Sequence, residues 1–548
     1  MLNIDVGKIV IEPFVYERIL KINIEKELNE HSTMYVYGVI KDDKQVEPVV
    51  SATEGVKIKC IHDGKVYFSG VLQNVKVTCE NNVHYLEVYA ISNTVLLDTV
   101  KHKRSFQDNG QDYQSIVESV IADSGASVEY NADAMTVENI ILQYNETDWE
   151  FAKRLASHTN DVLIPITDDM PKFHFGATDK GNAKVETNGY SISRNFDAFR
   201  RMSEEEKPLT AGDVTVYAIR TNEFIGDLGE KIDLNGNDLR ICRLSLFLAE
   251  AALTVVYTLA DKKAVSTPKF YNPAITGLVL DGKVVEVEND TLKLDLANDT
   301  DRGVELDTGE RHFFKYATGY SMENHTGWYV MPEENDIVQL LFPLEDEKYA
   351  YAASSLRQED TDRTIDYMVK YLRTSFGREI KLDENEILIT TVDDETFIRI
   401  HKENGEDGGS LGIEVKTPNR VLIKSEASKI NIESEDDMTI TTQKNLYIEA
   451  KDNIKMVCGG NNMEFDEKGG KGVSMSTDKE YFLKSKGPAT MKGEDKLLVE
   501  SADNMTLKTN TELVGDAATQ IKLTGMGSDI VMKSSGIDLM GHLIKENP

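Results

Sequence analysis

The sequence has little of what membrane, secreted and redox proteins need. No apolar run approaches the 18 residues of a transmembrane helix, and residues 1–5 do not resemble a signal peptide. The few cysteines lie far apart without a CxxC spacing, which disfavours a disulfide scaffold and favours a reduced, cytosolic place of assembly. The cysteines are Cys60, Cys79, Cys242 and Cys458. If the protein acts outside the cell, we expect it to leave by an unusual route.

Basic residues are also scarce. The chain of 548 residues has 61 Lys and Arg against 94 Asp and Glu, a formal net charge of −33 at pH 7. Such an acidic surface repels phosphate backbones and anionic lipid headgroups. We therefore expect no nucleic acid and no anionic membrane surface among its general partners, and we expect several domains from the length alone.

What the sequence does contain is a repeat of eight residues between about 421 and 539. The first apolar positions are Ile430, Met438, Leu446 and Ile454, then Val473, Tyr481, Ala489, Leu497, Met505, Leu513 and Ile521. Most of these residues are followed two positions later by a second apolar residue. The remaining positions of each octad are mostly polar. Each apolar-x-apolar unit predicts a short strand with one buried face, and Asn, Asp and Gly predict the corners. A fixed period of this kind is typical of a stacked β-solenoid.

Two inward residues per octad are few for a core that one chain must fill alone. We therefore predict three chains wound together, with these side chains shared along one axis. The predicted core residues are Ile430, Ile432, Met438, Ile440, Leu446, Ile448, Val473, Met475, Leu497, Val499, Met505, Leu507, Ile521 and Leu523. An ordinary antiparallel sheet with even strand spacing is the alternative.

The eight-residue spacing is interrupted between Met456 and Val473, and we call this interruption the slip. The apolar pair moves to Met463 and Phe465 there, and glycines cluster around it. Glycine tolerates unusual dihedral angles but packs no side chain, so we expect the prism to widen at this level.

The residues before the octads predict a mainly β chain with several domains. Asp63-Gly64 and Asn235-Gly236 each lie between alternating runs and predict hairpins. Thr147 followed by Glu150 predicts a capping box at the start of a helix. The predicted domains are a first small β-barrel (1–104), an inserted α/β part (105–207), a second small β-barrel (208–268), a five-stranded OB-like barrel (269–356), a charged linker (357–375) and the intertwined triple-stranded β-helix (376–548).

Three segments together resemble a known family. Residues 143–156 resemble a Gln-Tyr-x-Glu-Thr-Asp-x-x-Phe-x-x-Arg-Leu helix motif, 327–343 and 349–356 resemble an OB domain, and the octads resemble a needle. In that order they are similar to VgrG proteins of type VI secretion and to the hub–spike proteins of phage baseplates. Fewer residues precede the OB domain than in long VgrG proteins, which favours the phage or phage-tail-like branch.

The resemblance implies a homotrimer that caps a hexameric tail tube and punctures an envelope when the tail contracts. It implies baseplate proteins as partners and a PAAR-like tip protein or an effector at the needle tip. The putative tip contacts are Met540, Gly541, His542 and Leu543. The particle would be assembled in the cytoplasm and delivered outward. The two small barrels per chain would make a six-fold ring in the trimer.

Catalytic motifs are absent from the sequence. There is no P-loop, no zincin motif and no nucleophile–base pair, so we expect no enzyme and no cofactor. His158 and His542 are isolated and are interpreted as surface or capping residues, with a tip metal at His542 as the alternative. The glycine-flanked loop at Asp407 is interpreted as a solvated corner rather than a calcium site. Trp149 and Trp328 are interpreted as core residues. A tail-associated cell-wall hydrolase and a receptor-binding fibre remain the alternative functions.

Overall fold

The computed structural model describes residues 6–41, 51, 55–194, 196, 210, 214–249, 252–298, 311–320, 326–357, 365–391, 395–402, 411–466, 469 and 472–541. They belong to two compact units, Met1–Pro418 and Asn419–Pro548. The described chain is mainly β, as the alternating sequence predicts. Neither of its α-helices within these ranges is long and apolar enough to cross a bilayer.

The first unit begins with six strands of one sheet. They are Ile9–Glu12 (β1), Arg18–Glu27 (β2), Thr33–Ile40 (β3), Lys57–His62 (β4), Lys65–Glu80 (β5) and Val83–Ser92 (β6). Side chains along β3 alternate between buried and less buried, which is the period of a strand with one face on the core. The predicted Asp63-Gly64 hairpin is confirmed, because both residues have positive φ (48° and 76°) between β4 and β5.

An α/β segment follows. Its elements are Lys101–Phe106 (β7), Tyr113–Ile121 (α1), Ser127–Tyr130 (β8), Ile141–Thr147 (β9), Asp148–His158 (α2), Leu163–Pro165 (β10) and Lys172–Phe175 (β11). The capping box is confirmed: the Thr147 hydroxyl accepts from the Glu150 N–H at 3.1 Å, and the Glu150 carboxylate accepts from the Thr147 N–H at 3.0 Å. Both helices bury an apolar face against β8–β11 in one core that includes Ile116, Phe151 and Phe173.

Six further strands return to the first sheet. They are Ala183–Val185 (β12), Tyr190–Arg194 (β13), Thr215–Thr221 (β14), Lys231–Leu234 (β15), Asn237–Ala249 (β16) and Ala252–Ala260 (β17). The Asn235-Gly236 hairpin between β15 and β16 is confirmed. The sheet has the order β1-β4-β5-β6-β3-β2-β16-β17-β14-β13, with β15 on β16 and β12 on β15.

This continuity corrects the prediction of two separate small barrels at 1–104 and 208–268. Strand β2 pairs with β16 from Glu27 opposite Arg243 to Asn23 opposite Phe247, so the two groups of strands share one sheet of twelve strands. They also share one apolar core. The strands β12 and β13 lie within 105–207, so the second group begins earlier than predicted.

A closed barrel of five strands comes next. Its strands are Leu278–Glu288 (β18), Thr291–Asp295 (β19), Phe313–Ala317 (β20), Ile337–Phe342 (β21) and Tyr351–Leu356 (β22), in the order β18-β19-β20-β22-β21. It lies within the range predicted for an OB-like barrel. Strand β18 runs without interruption from Leu278 to Glu288. Its register shifts between Val284 and Glu286.

An antiparallel meander ends the first unit. Its strands are Lys370–Arg373 (β23), Glu379–Leu382 (β24), Glu386–Thr390 (β25), Phe397–Lys402 (β26) and Leu411–Lys416 (β27), paired in chain order. The sequence predicts the intertwined helix from residue 376, and this meander differs from that prediction. Its strands find their partners within one chain because they follow one another with short connections.

The second unit contains two small antiparallel sheets. Their strands are Asn453–Cys458 (β28), Asn461–Asp466 (β29) and Gly472–Ser476 (β30), then Gln520–Gly525 (β31), Ser528–Lys533 (β32) and Gly536–Met540 (β33). Residues 419–452 and 477–519 are all described and contain no strand. Most octads therefore have no sheet partner within their own chain.

Candidate assembly surface

The predicted needle residues are solvent-exposed in the single chain. Thirteen of the fourteen have exposed side chains, with exposed fractions from 50% at Ile430 and Met505 to 72% at Leu507. The remaining residue, Ile521, is half-buried. Repeated exposure of large apolar side chains is typical of an interaction site, because each such side chain gains roughly 1.5–3 kcal/mol from burial. We call these fourteen side chains the octad surface.

A second apolar surface covers one face of the meander. Cross-strand register places apolar residues opposite one another over all five strands. One row is Leu372, Ile380, Ile389, Ile398 and Val415, and the other is Leu382, Ile387, Ile400 and Ile413. All nine side chains are exposed. The spacing within β24, β25, β26 and β27 is apolar-x-apolar, as in the octads, so the meander leaves the same kind of face uncovered.

The predicted tip residues are only partly described. Met540 ends β33 with an exposed side chain, and Gly541 is exposed after it. His542 and Leu543 lie outside the described residues, as does the loop at Asp407. Within the described ranges, no group of three or more His, Cys, Asp or Glu side chains is placed to hold a metal.

The two tryptophans have opposite environments. Trp149 is 2% exposed and donates its indole N–H to the Asn29 carbonyl at 3.3 Å, so its prediction as a core residue is confirmed. Trp328 is 72% exposed, so the same prediction is wrong for it. It follows Gly327, which has a φ of 122°, in the described residues 326–336 before β21, which form no strand.

A buried ion network joins α2 to the five-stranded barrel. The Arg154 guanidinium is fully buried and donates to Glu146 at 2.8 Å, to Glu347 at 3.0 Å and to the Leu142 carbonyl at 2.9 Å. Burial lowers the pKa of Arg154, but the carboxylates of Glu347 and Glu146 outweigh it and hold that pKa above its usual range. The guanidinium therefore stays charged and fixes the helix to the barrel.

The sequence contains only part of the signal for this network. Glu146 and Arg154 both belong to the motif at 143–156, eight residues apart on β9 and α2. Glu347 is 193 residues from Arg154 in sequence, and it lies in the loop before β22. Ile140, which precedes β9, and Leu142 within β9 also pack in the apolar core of the barrel.

His158 is the last residue of α2 and is buried, so of its two predicted roles, surface or capping residue, the surface one is wrong. Its Nε2–H donates to the Phe270 carbonyl at 3.2 Å, because a carbonyl only accepts, and Nδ1 then faces the Tyr113 hydroxyl at 3.4 Å. Desolvation, with Arg154 and Lys269 nearby, lowers the pKa of His158 to about 3.

This lowered pKa predicts a loss of stability in acid. Below the unfolded-state pKa of about 6.5, the unfolded chain takes up a proton that folded His158 refuses, so stability falls as the pH drops from about 6.5 towards 3. Between pH 7 and pH 5, we expect the thermal midpoint of the His158→Gln variant to fall less than that of the unchanged protein. The glutamine amide can still donate to the Phe270 carbonyl. His31 and His174 also have lowered pKa values and remain in both proteins, so equal slopes would contradict the assignment.

Comparisons with known proteins give structural matches only. No protein-family model and no curated protein matches the chain. An Escherichia coli component of the type VI secretion system, described as similar to the T4 bacteriophage tail proteins gp27 and gp5, has 11% identity and a TM-score of 0.47, with 64% of this chain and all of that chain covered. A Francisella PdpA–VgrG complex has 10% identity and a TM-score of 0.47 over 75% of this chain and 88% of that one.

A third match is a tail protein of prophage MuSo2 from Shewanella oneidensis. It has 13% identity and a TM-score of 0.38, with 47% of this chain and 99% of that chain covered. The solved structures that this chain resembles thus include a type VI secretion component, a VgrG complex and a prophage tail protein, which are the classes that the sequence resembles.

Proposed function

We propose that the protein is the structural hub and spike of a contractile injection apparatus. It acts as a homotrimer that caps the tail tube at the centre of the baseplate and punctures the target envelope when the tail contracts. The observation that carries the proposal is the octad surface, which repeats over about 100 residues and has no partner within the chain over most of its length. A solitary chain would leave this surface in water.

Three chains suit the octads for a geometric reason. Each octad offers two inward residues on one short strand, which is one side of a triangular section. Three such sides enclose a core of six side chains per layer and pair every backbone group around a closed perimeter. A closed section has no free sheet edge, which gives the stiffness that a puncturing needle needs. We assign this triple-stranded helix to 419–452 and 477–519.

The exposed face of the meander supports the same assembly. Its two apolar rows continue the apolar-x-apolar spacing of the octads, but in strands that have already paired within one chain. Three such sheets, one from each chain, would form a prism with the rows facing inward. We propose that the meander is the base of the needle, which places the start of the intertwined helix near residue 419 rather than 376.

The remaining assignments follow the order of the parts along the chain. The twelve-stranded sheet with its α/β insertion is the hub that docks on a hexameric tail tube protein and on baseplate proteins. The five-stranded barrel is the OB domain between hub and needle. The segment from Met540 onward is the contact for a PAAR-like tip protein or an effector. Assembly takes place in the cytoplasm.

The mass of the particle in solution tests the proposal. We expect light scattering after gel filtration to give three times the chain mass of 61.4 kDa at all accessible concentrations, because the octad surface is buried only in the trimer. Electron micrographs of the same fractions should show a ring with one rod. A stable monomer, or a trimer without a rod, would contradict it. A cell-wall hydrolase would release soluble fragments from purified cell walls, and we expect none.

A further inference from the structure

Three aromatic side chains are exposed on the connection between β20 and β21. Trp328 and Tyr329 are each 72% exposed, and Tyr320 is 52% exposed. Rings of this size dominate the energy of a contact, because each can bury about 150–250 Å² of surface. Their place outside the barrel core leaves the ring faces available to a ligand.

Hydrogen bonds hold this segment against the barrel. The Tyr329 hydroxyl donates to the Asn289 carbonyl at 2.6 Å, and Asn289 lies in the turn between β18 and β19. The Trp328 backbone N–H donates to the Tyr320 carbonyl at 2.9 Å. The Tyr329 ring is therefore fixed at its far end although it is exposed, so that it loses less conformational entropy when a ligand binds.

The three rings line one open groove beside that turn. Its volume is about 780 Å³, within the range of about 300–1,000 Å³ that is usual for small-molecule sites. Met331 lies in its wall and also packs against the apolar core of the barrel. Asp290 and Thr318 line it too, and they supply a carboxylate and a hydroxyl. The groove thus combines flat aromatic faces with a few hydrogen-bonding groups.

The lining disfavours several classes of ligand. Among the described residues of its wall none is basic, so a phosphate or a single-stranded nucleic acid finds no cation there. A quaternary ammonium ion is held by rings that enclose it, whereas Trp328 and Tyr329 each stay more than two-thirds exposed. A purely apolar ligand would cover the Asp290 carboxylate without giving it a hydrogen bond.

A sugar chain fits both parts of the lining. A glucose-type pyranose in β-1,4 linkage carries its polar groups around its rim and C–H groups on both faces, and the negative face of an aromatic ring attracts such C–H groups. We propose that the groove binds a neutral β-1,4-linked oligosaccharide. Trp328 and Tyr329 stack on its sugar rings, and Asp290 and Thr318 bind its hydroxyl groups. The site lies within one chain, so it does not depend on the proposed trimer.

Tryptophan fluorescence of the full-length protein tests the site. The chain has only two tryptophans, and Trp149 is 2% exposed, so the neutral quencher acrylamide reports on Trp328. We expect saturating chitotetraose or cellotetraose, both β-1,4-linked, to reduce the quenching by about half. Calorimetry should give one oligosaccharide per chain. The α-linked maltotetraose, whose curved chain presents no flat face, should leave the quenching unchanged.

Calorimetry on variants tests the role of each residue. Trp328→Ala should weaken binding about 10–100-fold, the usual effect of removing a stacked aromatic ring, and Trp328→Phe should restore most of the affinity. Asp290→Asn keeps a hydrogen-bond acceptor and should cost less than about 3-fold for a neutral ligand. A much larger loss in Asp290→Asn would contradict a neutral ligand.

Tyr367→Ala is the matched control, because Tyr367 is 80% exposed and is not among the described residues that line the groove. It should bind as tightly as the unchanged protein. Failure of both β-linked probes to bind, or equal losses in Trp328→Ala and Tyr367→Ala, would overturn the site. Ligand-free protein in which acrylamide does not reach Trp328 would overturn it too, because a neighbouring chain would then cover the groove. The mass is measured in parallel, since a monomer that binds oligosaccharide would refute the trimer and leave the site standing.

Discussion

Leu497→Asp is expected to abolish the trimer. Leu497 is an octad residue that is exposed in the single chain, and in the proposed needle its three copies meet on the axis. The change removes roughly 1.5–3 kcal/mol of apolar burial per chain and adds a carboxylate without a partner, which costs several kcal/mol more. Summed over three chains, the assembly constant should fall by at least about three orders of magnitude. Native gels and light scattering measure it.

Lys496→Asp is the matched control. It introduces the same carboxylate one residue earlier, and in the proposed needle this position lies on the opposite, solvent-facing side of the strand. We expect wild-type yields of trimer from this variant. Wild-type yields of trimer from both variants would mean that the register of the octads is wrong. The same loss of trimer from both variants would mean that the added charge, rather than the lost burial, prevents assembly.

Arg154→Met is expected to destabilise the first unit by about 3–5 kcal/mol, because Glu146 and Glu347 would be left buried without their cation. For a unit of this size, Met1–Pro418, the thermal midpoint should fall by roughly 3–6 °C. Hydrogen exchange should increase at α2 and at the loop before β22, where the network joins the helix to the barrel.

Two further variants show whether unpaired charge causes that loss. Arg154→Met combined with Glu146→Gln and Glu347→Gln should recover most of the stability, since no buried charge then lacks a partner. Lys153→Met is the control, because the Lys153 ammonium only approaches the exposed Glu30 carboxylate at 3.6 Å, a contact worth at most about 1 kcal/mol. A combined variant no more stable than Arg154→Met would contradict the explanation.

Local features of the fold could be predicted from the sequence. The two hairpins at Asp63-Gly64 and Asn235-Gly236 depend on residues that tolerate positive φ, and the capping box at Thr147 depends on two residues three apart. Each signal is complete within a few neighbouring positions, and the structure confirms each of them.

Long-range pairing could not be predicted in the same way. The edge of β2 has no residue that distinguishes a free edge from one that pairs with β16, so the sequence predicts two barrels where the structure has one sheet. The partner of Arg154 was missed for the same reason, since nothing near Glu347 in the sequence points to a buried cation. Trp328 was misjudged because its size suggests burial, whereas its exposure is decided by where the barrel places its loops.

The octad surface is neither a purely local feature nor a long-range pairing within one chain. Its period is a local signal, and it predicts which residues would form the needle core. In the proposed trimer these residues are covered by other chains, and a sequence specifies such a partner only through geometry. The fourteen positions therefore stay a prediction from the sequence, and their partners are a proposal.

The pairing of β2 with β16 also affects how the chain is made. Strand β2 is complete when residue 27 leaves the ribosome, but its partner begins at residue 237. At 5–20 residues per second, β2 remains an open edge for about 10–40 s of synthesis. Unpaired edges of this kind recruit strands from other chains, and distant pairing slows folding. The nascent chain is thus most vulnerable to aggregation in this interval, and a holdase chaperone that covers the first six strands would increase the yield of soluble protein.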